Sequence, residues 1–340
     1  MKLPIIGISM GDPAGVGPEI AVKALNRMSV NDSCRPLIVG DAWSIEREMK
    51  KYSPGKSLNV VRSVTDCRFS PDRINVFDLD IPGCRDIPVG AISAVAGHVA
   101  FSAIEKVIEL AMEREIDAVV TGPIHKKALN DAGHHFAGHT EIFAEYTGTD
   151  NYAMLLASEQ LKVIHVTTHV SLREALDLIN IERVYSRIRL MHDGLIKLGI
   201  SEPRIGVAGL NPHAGDGGLF GDEEIKFIQP AVERAISEGY NVEGPVPSDT
   251  LFPKALGKYY DGCVAMYHDQ GHIPFKMASF AWDEEKQSMQ SVIGVNITLG
   301  LSIIRTSVDH GTAFDIAGKG LASDAAMVDA IEYAIKIYEN

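Results

Sequence analysis

Residues 7–20 read GISMGDPAGVGPEI, an apolar run followed by a glycine-rich turn and then by Pro18, a residue favoured at the first position of a helix. The stretch predicts a buried strand, a turn and a helix. It is not a Rossmann fingerprint, because the position that should hold the third glycine after Gly15 and Gly17 is Ile20. It is not a P-loop either, because no lysine follows these glycines.

The same order, an apolar run that ends in polar or glycine-rich residues, recurs along the chain. It is seen in PLIVGD (36–41), DAVVTGP (117–123), LKVIHVTTH (161–169), RIGVAGLNPHAG (204–215) and GCVAMYHDQG (262–271). Amphipathic helical patterns lie between these runs, as at Val99, Ala103, Val107 and Ala111. Strands that alternate with helices predict an α/β fold with largely parallel or mixed sheets, in which ligands bind at the carboxyl ends of strands.

The composition limits the class of protein. A chain of 340 residues with 46% apolar and 23% charged residues is typical of a globular protein with two domains. The net charge of −13 argues against non-specific binding to nucleic acid or to an anionic membrane. Neither a membrane-spanning run nor a secretory signal is predicted, so we expect a cytoplasmic protein with reduced, structural cysteines: Cys34, Cys67, Cys84 and Cys263.

Three of the twelve histidines follow strand-like runs in the same way: His169, His213 and His268. If the carboxyl ends of these strands met at one cleft, three imidazoles would suit a divalent ion with open positions for substrate. The other interpretation is three unrelated surface histidines, because no local metal-binding spacing links them.

A second set of residues suits an anion. His139 and Thr140 open a predicted helix, and helix starts bind anions. Arg305 follows the apolar run LSII, and a cation at the end of a buried strand needs a partner. Asn296 lies in the same segment as Arg305, and Lys276 lies upstream, although surface charge is the usual role of arginine and lysine. Asp249, in PSDTLF, has three possible roles: a proton acceptor, a residue that hydrogen-bonds a metal ligand, or a turn residue.

Several longer blocks together resemble the 4-hydroxythreonine-4-phosphate dehydrogenase family of vitamin B6 synthesis. The resemblance runs from residue 5 to beyond residue 320, through GDPAGVGPEI, TGPIHK, GHTE, TTH, NPHAGDGG, SDTLF, MYHDQG and NITLGLSIIRTSVDHGTAFDIAG. Two blocks, GD–GVGPE and DHGTAFDIAGKG, are also similar to segments of the isopropylmalate and isocitrate dehydrogenases. Those enzymes are metal-dependent and bind NAD without a Rossmann fingerprint.

The resemblance implies an α/β fold of the isocitrate and isopropylmalate dehydrogenase type, with two α/β/α domains around a cleft. Residues 1–125 and 295–340 would form the domain on the cofactor side. Residues 126–294 would form a middle domain that carries the metal and the contacts of a homodimer. The stretch 7–20 would be the first strand, turn and helix of this architecture.

The resemblance also assigns roles to single residues. A divalent metal (Zn, Mg, Mn, Co or Ni) would be bound at the interface of two subunits by His169, His213 and His268. Substrate would be bound by His139, Thr140, Lys276, Asn296 and Arg305, with Lys276 or Asp249 as the base. NAD, or NADP, would lie on His310, Gly311, Thr312, Ala313 and Asp315; the lack of an obvious basic cluster for a 2′-phosphate favours NAD.

The expected reaction is the metal-dependent oxidation and decarboxylation of a four-carbon 3-hydroxy acid phosphorylated at C4. The connection 277–294, with Trp282 and a DEEK run, is longer than in the B6 enzyme and resembles a paralogous branch of the family. That branch oxidises 4-phospho-D-threonate or 4-phospho-D-erythronate to dihydroxyacetone phosphate and CO2. The alternatives are the B6 enzyme, whose substrate carries an amine at C2, a dihydrodiol dehydrogenase, and a non-catalytic phosphosugar-binding protein.

Overall fold

A computed structural model describes residues 2–279, 282–284, 288–289 and 294–340. The strands are β1 (Ile5–Ser9), β2 (Arg35–Gly40), β3 (Ser57–Val61), β4 (Arg73–Asp78), β5 (Ala118–Thr121), β6 (Ala153–Ala157), β7 (Lys162–His165), β8 (Ile205–Ala208), β9 (Val242–Val246), β10 (Gly262–Ala265), β11 (Trp282–Asp283), β12 (Ser288–Met289), β13 (Val295–Leu299) and β14 (Arg305–Val308). The helices are α1 (Gly17–Ala24), α2 (Met28–Ser33), α3 (Ala42–Tyr52), α4 (Ala94–Met112), α5 (Lys126–Asp131), α6 (His139–Tyr146), α7 (Leu172–Leu178), α8 (Ile181–Lys197), α9 (Gln229–Ser237), α10 (Ser248–Leu256), α11 (His268–Ser279) and α12 (Ala325–Glu339).

The chain forms two compact units. Unit 1 consists of Met1–Asp150 and Leu301–Glu339, and unit 2 consists of Asn151–Gly300 with Asn340. In each unit helices pack on β-strands, so the α/β class predicted from the sequence is confirmed.

Unit 1 is built on a parallel sheet with strand order β3-β4-β2-β1-β5-β14. Strand β1 lies inside this sheet, and its apolar side chains Ile6 and Ile8 are fully buried, as expected for a strand covered on both faces. The helix predicted from period-four apolar positions is α4, whose Val99, Ala103 and Val107 are buried in the core of the unit. The strand and helix predicted around residues 7–20 are confirmed as β1 and α1.

Unit 2 is built on a mixed sheet with strand order β13-β6-β7-β10-β8-β9. Strand β6 runs antiparallel to β13 and β7, whereas β7, β10, β8 and β9 are parallel to one another. The runs at 161–169, 204–215 and 262–271 therefore form the neighbouring parallel strands β7, β8 and β10. Their polar ends lie at the same edge of the sheet, which is the arrangement that the repeated pattern predicts.

The boundaries between the units differ from the predicted ones. They fall at 150/151 and 300/301 instead of 125/126 and 294/295. The first boundary lies later because α5 and α6 pack against α4: Leu129 and Phe143 belong to the same apolar core as the buried face of α4. The second boundary lies after β13 because β13 pairs along its whole length with β6 of unit 2.

The long connection at 277–294 lies partly outside the described residues. Among the described ones, β11 pairs antiparallel with β12, with Trp282 opposite Met289. The predicted link between this connection and the paralogous branch concerns Trp282 and the DEEK run, whose side chains, except that of Glu284, lie outside the described residues, and it stays a prediction.

The four cysteines are free thiols, and Cys34, Cys84 and Cys263 are buried. Burial raises the pKa of the Cys34 and Cys263 thiols to about 12, so these side chains behave as small apolar groups. In the described part of the chain, no helix combines the length and the apolarity that a membrane crossing requires.

We expect Gly17→Ala to destabilise the protein, because a Cβ at this position would lie 2.1 Å from the backbone oxygen of Met10. Overpacking of this kind costs about 1–3 kcal/mol, which corresponds to a Tm lower by about 1–4 °C for a chain of this size. Differential scanning calorimetry measures the change. Gly55→Ala is the matched control, since no atom would lie within 4 Å of a Cβ there, and an equal loss in both variants would contradict the packing argument.

Candidate active site

The carboxyl ends of three parallel strands lie side by side in unit 1. Ser9 at the end of β1 is paired with Thr121 at the end of β5, and Thr121 is paired with Ser307 of β14. All three hydroxyl side chains are buried. This edge of the sheet is where an α/β protein places its ligands, and the residues below are arranged around it.

Arg305, the first residue of β14, is a buried cation. Its side chain is 3% exposed, its Nη2 donates to Thr121 Oγ1 at 2.7 Å, and its guanidinium lies 5.3 Å from the centre of the Phe143 ring. Burial lowers the pKa of Arg305 to about 9, and the carboxylate of Glu141 opposes this only in part. An anionic ligand would favour the charged form of this buried guanidinium, so it would be bound favourably here.

His139, the first residue of α6, lies next to this cation. Its ring nitrogen Nε2 is buried and has no hydrogen-bond partner among the described residues, although the residue as a whole is half-buried. Burial, and secondly the charge of Arg305, hold the pKa of His139 well below its ordinary value of 6.5, while a hydrogen bond with the Gly122 backbone opposes the shift. An orphaned ring nitrogen beside a buried cation fits the anion site that the sequence predicts. Thr140, the next residue of α6, is half-buried.

The predicted cofactor residues form one loop that packs on the turn after β1. Val16 donates its backbone N–H to Thr312 O at 3.0 Å, and a Cβ at Gly15 would lie 2.8 Å from the same oxygen. Gly15 is therefore required for close backbone packing and does not leave an open cradle for phosphate. Within the loop, Ala313 adopts a left-handed φ of 45° and its carbonyl accepts from Ile316 N at 3.1 Å.

The remaining predicted cofactor residues lie on the surface of the same loop. His310 Nδ1 is 2.9 Å from Gly311 O, and Asp315 presents an exposed carboxylate. Phe314, between them, stacks on His125 with ring centroids 4.9 Å apart. The structure thus brings His310, Gly311, Thr312, Ala313 and Asp315 together against the turn 12–16.

Asp12 lies in that turn and is fully buried. Its Oδ1 accepts from Ala14 N at 2.9 Å, whereas Oδ2 has no hydrogen-bond partner in the part of the chain that the structure describes. Burial raises the pKa of Asp12 from 3.8 to about 6, and the bond from Ala14 offsets this only in part. An aspartate whose only role is to form a turn is usually exposed to water. Asp12 is instead a buried acid at the edge of the sheet where ligands bind.

A cleft of about 560 Å³ in unit 1 lies away from these residues. Trp43 and Arg85 line it together with five carboxylates: Asp41, Glu46, Asp78, Asp80 and Asp86. The excess of negative charge makes it unsuitable for a phosphorylated ligand or a dinucleotide.

In unit 2, a cavity of about 280 Å³ is lined by His169, His268, Thr167 and Tyr267. The two imidazole centroids are 5.9 Å apart, because each histidine follows one of the paired parallel strands β7 and β10. His268 Nδ1 is also 2.6 Å from Asp269 Oδ1. Two of the three predicted metal ligands are thus brought together.

His213, the third predicted ligand, lies on the loop after β8 and is exposed. Within the described residues of this single chain, no group of three or more histidine, cysteine, aspartate or glutamate side chains is placed to hold a metal ion. The imidazole donors fit a divalent ion chemically. The full set of three ligands stays a prediction, as does its division between two subunits.

Two histidines behind His268 were not predicted. His272, one helical turn further along α11, stacks on His268 with centroids 3.7 Å apart, and its Nδ1 is 3.2 Å from Nε2 of His165. Burial holds the pKa of His165 well below 6.5. The i, i+4 spacing in HDQGH could have indicated His272, whereas His165 meets it only through the pairing of β7 with β10.

Lys276 shares a helix face with His268 and His272, because residues four apart lie one above the other. It is half-buried in α11, whereas Asp249 is exposed in the first turn of α10, with its Oδ1 3.5 Å from Thr250 Oγ1. Asn296 is half-buried in β13, opposite Leu156 of β6. Of the two candidate bases, Lys276 is the one placed on the histidine-bearing helix.

Comparisons with known proteins agree with one another. Residues 32–334 match the family model described as pyridoxal phosphate biosynthetic protein PdxA. The chain is 46% identical to the D-threonate 4-phosphate dehydrogenase of Cupriavidus necator, over 98% of this chain and 97% of that protein. It is 43% identical to a crystal structure described as 4-hydroxythreonine-4-phosphate dehydrogenase from Klebsiella pneumoniae, with a TM-score of 0.86 and coverage of 98% and 99%. A structure with the same enzyme name from Burkholderia phymatum is 44% identical, with a TM-score of 0.83 and coverage of 99% of both chains.

The raised pKa of Asp12 predicts a pH-dependent effect of Asp12→Asn. Because the folded pKa of about 6 lies above the ordinary 3.8, the folded state holds the proton more tightly. The contribution of Asp12 to stability therefore declines as the pH rises from about 4 through 6. Asparagine keeps the acceptor for Ala14 N but carries no charge. The variant should therefore be more stable relative to the parent at high pH. The difference in free energy of unfolding, variant minus parent, should be about 2 kcal/mol larger at pH 8 than at pH 4.5.

Urea unfolding at the two pH values measures this difference. Asp32→Asn, which alters an exposed carboxylate, is the control and should show no comparable pH dependence. An equal effect of Asp12→Asn at both pH values would mean that Asp12 is ionised normally in the folded protein.

Proposed function

The chain belongs to the PdxA family and is a dehydrogenase that acts on a CH–OH group, and from this premise we propose that its substrate is a four-carbon 3-hydroxy acid phosphorylated at C4. The favoured substrates are 4-phospho-D-threonate and 4-phospho-D-erythronate. The observation that carries the proposal is the buried guanidinium of Arg305 beside the orphaned Nε2 of His139.

In this proposal, Arg305 and His139 bind the phosphate of the substrate. The planar guanidinium can donate two parallel hydrogen bonds to phosphate oxygens, and Thr121 Oγ1 holds it from behind at 2.7 Å. A bound phosphate would raise the pKa of His139 again, so its ring would add a second charged donor. A protein with a net charge of −13 can bind a polyanion in this way because the positive field is local.

His169 and His268 would hold the divalent ion, with His213 as the third ligand in a site shared between the two subunits of a homodimer. When bound, such an ion (Zn, Mg, Mn, Co or Ni) supplies Lewis acidity toward the hydroxyl oxygen that is oxidised. The supporting observation is that neighbouring parallel strands bring His169 and His268 to one cavity. Asn296 would contribute a further polar contact to the substrate.

For the chemical steps, we assign the base to Lys276 in preference to Asp249. Lys276 would take the proton of the C3 hydroxyl while C3 gives a hydride to the nicotinamide of NAD. The product is a 3-keto acid, which loses CO2 and gains a proton at C2 to give dihydroxyacetone phosphate. Lys276 is preferred because it lies on the same face of α11 as His268, whereas Asp249 is exposed to solvent.

NAD would bind at the loop from His310 to Asp315. The exposed carboxylate of Asp315 is suited to accept hydrogen bonds from the hydroxyls of a ribose, and it would repel the additional phosphate of NADP. The glycines of the stretch 7–20 would act indirectly, by allowing the turn after β1 to support this loop at van der Waals distance.

The second candidate is 4-hydroxythreonine 4-phosphate, which has an amine instead of a hydroxyl at C2. The enzyme name of the Klebsiella pneumoniae and Burkholderia phymatum structures favours it, whereas the name of the Cupriavidus necator relative favours the hydroxy acid. We favour the hydroxy acid because that relative is slightly more similar over nearly the whole chain.

The choice between the substrates can be measured directly. NADH formation with Mn²⁺ present should be faster with 4-phospho-D-threonate or 4-phospho-D-erythronate than with 4-hydroxythreonine 4-phosphate, by about 100-fold in kcat/KM, because a site that hydrogen-bonds one C2 group leaves polar atoms unpaired with the other. Dihydroxyacetone phosphate should accumulate in step with NADH. Faster turnover of the amino acid would assign the chain to pyridoxal phosphate synthesis instead.

Arg305→Ala tests the phosphate site. Loss of a buried charged donor should raise the KM for the phosphorylated substrate about 100-fold and change the KM for NAD by less than about threefold. The KM of Arg305→Lys for the phosphorylated substrate should lie between those of the parent and Arg305→Ala, since lysine keeps the charge but not the planar guanidinium. Arg68→Ala, at an exposed position, is the control. Equal increases in both KM values would place Arg305 away from the phosphate.

A further inference from the structure

The loop that carries His213 has an unusual backbone. From His213 to Gly218, six consecutive residues adopt positive φ values of 53°, 54°, 80°, 44°, 65° and 99°. Glycine accepts this conformation, but His213, Ala214 and Asp216 do so under strain, because their Cβ atoms crowd the backbone. A strained segment persists only where the surrounding structure holds it in place.

The group that holds it is Glu224, at the start of the π-helical turn Glu224–Ile228. Its carboxylate is 3% exposed, and Oε1 accepts from the backbone N–H groups of Leu210 and Asn211, both at 2.7 Å. Its Oε2 accepts from Asn211 Nδ2 at 2.9 Å. One buried carboxylate therefore binds three donors of the two residues that lead into the strained segment, and hydrogen bonds to a charged acceptor are the stronger kind.

Two glycines leave room for this carboxylate. A Cβ at Gly215 would lie 2.8 Å from Glu224 Oε2, and a Cβ at Gly209 would lie 3.3 Å from Oε1. The same Cβ at Gly209 would lie 2.8 Å from Cα and Cβ of Ala214, the residue after His213. The loop thus wraps around the carboxylate, and the direction of the His213 backbone depends on it.

We infer that Glu224 is a positioning residue that fixes the His213 imidazole for metal binding. It acts through the backbone of the loop and not by contact with the ion. The inference rests on the proposed role of His213 as a metal ligand. It deepens that proposal by assigning the orientation of the ligand to a residue that lies 11 positions further along the chain.

The test is a titration of the full-length, metal-free protein with Mn²⁺ alone, followed by calorimetry, for the parent, Glu224→Gln and Glu223→Gln. Glutamine at 224 keeps one acceptor oxygen and replaces the other with a donor that cannot bind Asn211 Nδ2. Mn²⁺ affinity should fall about tenfold, as for other groups that orient a metal ligand. Glu223, which accepts from the same Asn211 Nδ2 at 2.6 Å, is the matched control, and Glu223→Gln should stay within about twofold of the parent.

A second variant separates positioning from general stability. If Glu224 holds a strained backbone, then Ala214→Gly in the Glu224→Gln background should restore part of the Mn²⁺ affinity, because glycine adopts the left-handed conformation without strain. Unchanged Mn²⁺ affinity in Glu224→Gln overturns the inference, and so does a loss of affinity that Ala214→Gly fails to restore. If Glu224→Gln does not fold, Asn211→Ala takes its place in the titration, and unchanged affinity there overturns the inference as well.

His213→Ala distinguishes this failure from failure of the proposed function. If His213→Ala binds Mn²⁺ as tightly as the parent, the metal assignment itself is wrong and the inference falls with it. If His213→Ala loses binding while Glu224→Gln keeps it, the metal assignment stands and only the role of Glu224 is overturned.

Discussion

Close contact between backbone segments at the ends of β1 and β5 is the constraint on which unit 1 depends. A Cβ at Gly11 would lie 2.4 Å from the carbonyl oxygen of Pro123, and one at Gly122 would lie 2.8 Å from that of Met10. Without side chains at these positions, the two strand ends can approach each other and the turn after β1 can reach Thr312. The same approach places Thr121 under the Arg305 guanidinium and encloses Asp12.

This enclosure removes three titratable groups of unit 1 from water. A buried arginine, a half-buried histidine with a buried ring nitrogen, and a buried aspartate all have pKa values shifted toward their neutral forms, and burial is the largest cause in each case. Folding alone does not favour such groups, because each loses hydration that is replaced only in part. Their presence at one sheet edge is understood if a charged ligand completes their environment, which is the physical basis for placing the phosphate there.

The sequence allowed some of these features to be predicted and not others. Because polar residues follow several apolar runs, the α/β class and the meeting of His169 with His268 could be predicted without the structure. The contact of Arg305 with Thr121 could not, since it joins residues 184 apart through the register of β14 on β5. The sequence predicts the first unit boundary at 125/126 and not at 150/151, because the polar character of 126–150 does not reveal that Leu129 and Phe143 complete the core around α4.

Unit 2 supports its candidate ligands in a different way from unit 1. Side-chain hydrogen bonds, in addition to glycine contacts, fix the loops beyond its strands: Glu224 binds the loop after β8, and Gln270 Nε2 donates to both Gly209 O at 2.7 Å and Ser248 Oγ at 2.8 Å. A glycine in the sequence NPHAGDGG indicates a turn, but nothing in the letters shows that His213 itself is left-handed. A strained ligand residue held by a distant carboxylate is visible only once the backbone is known. For this reason a search for ligand residue types alone finds His213 and overlooks Glu224.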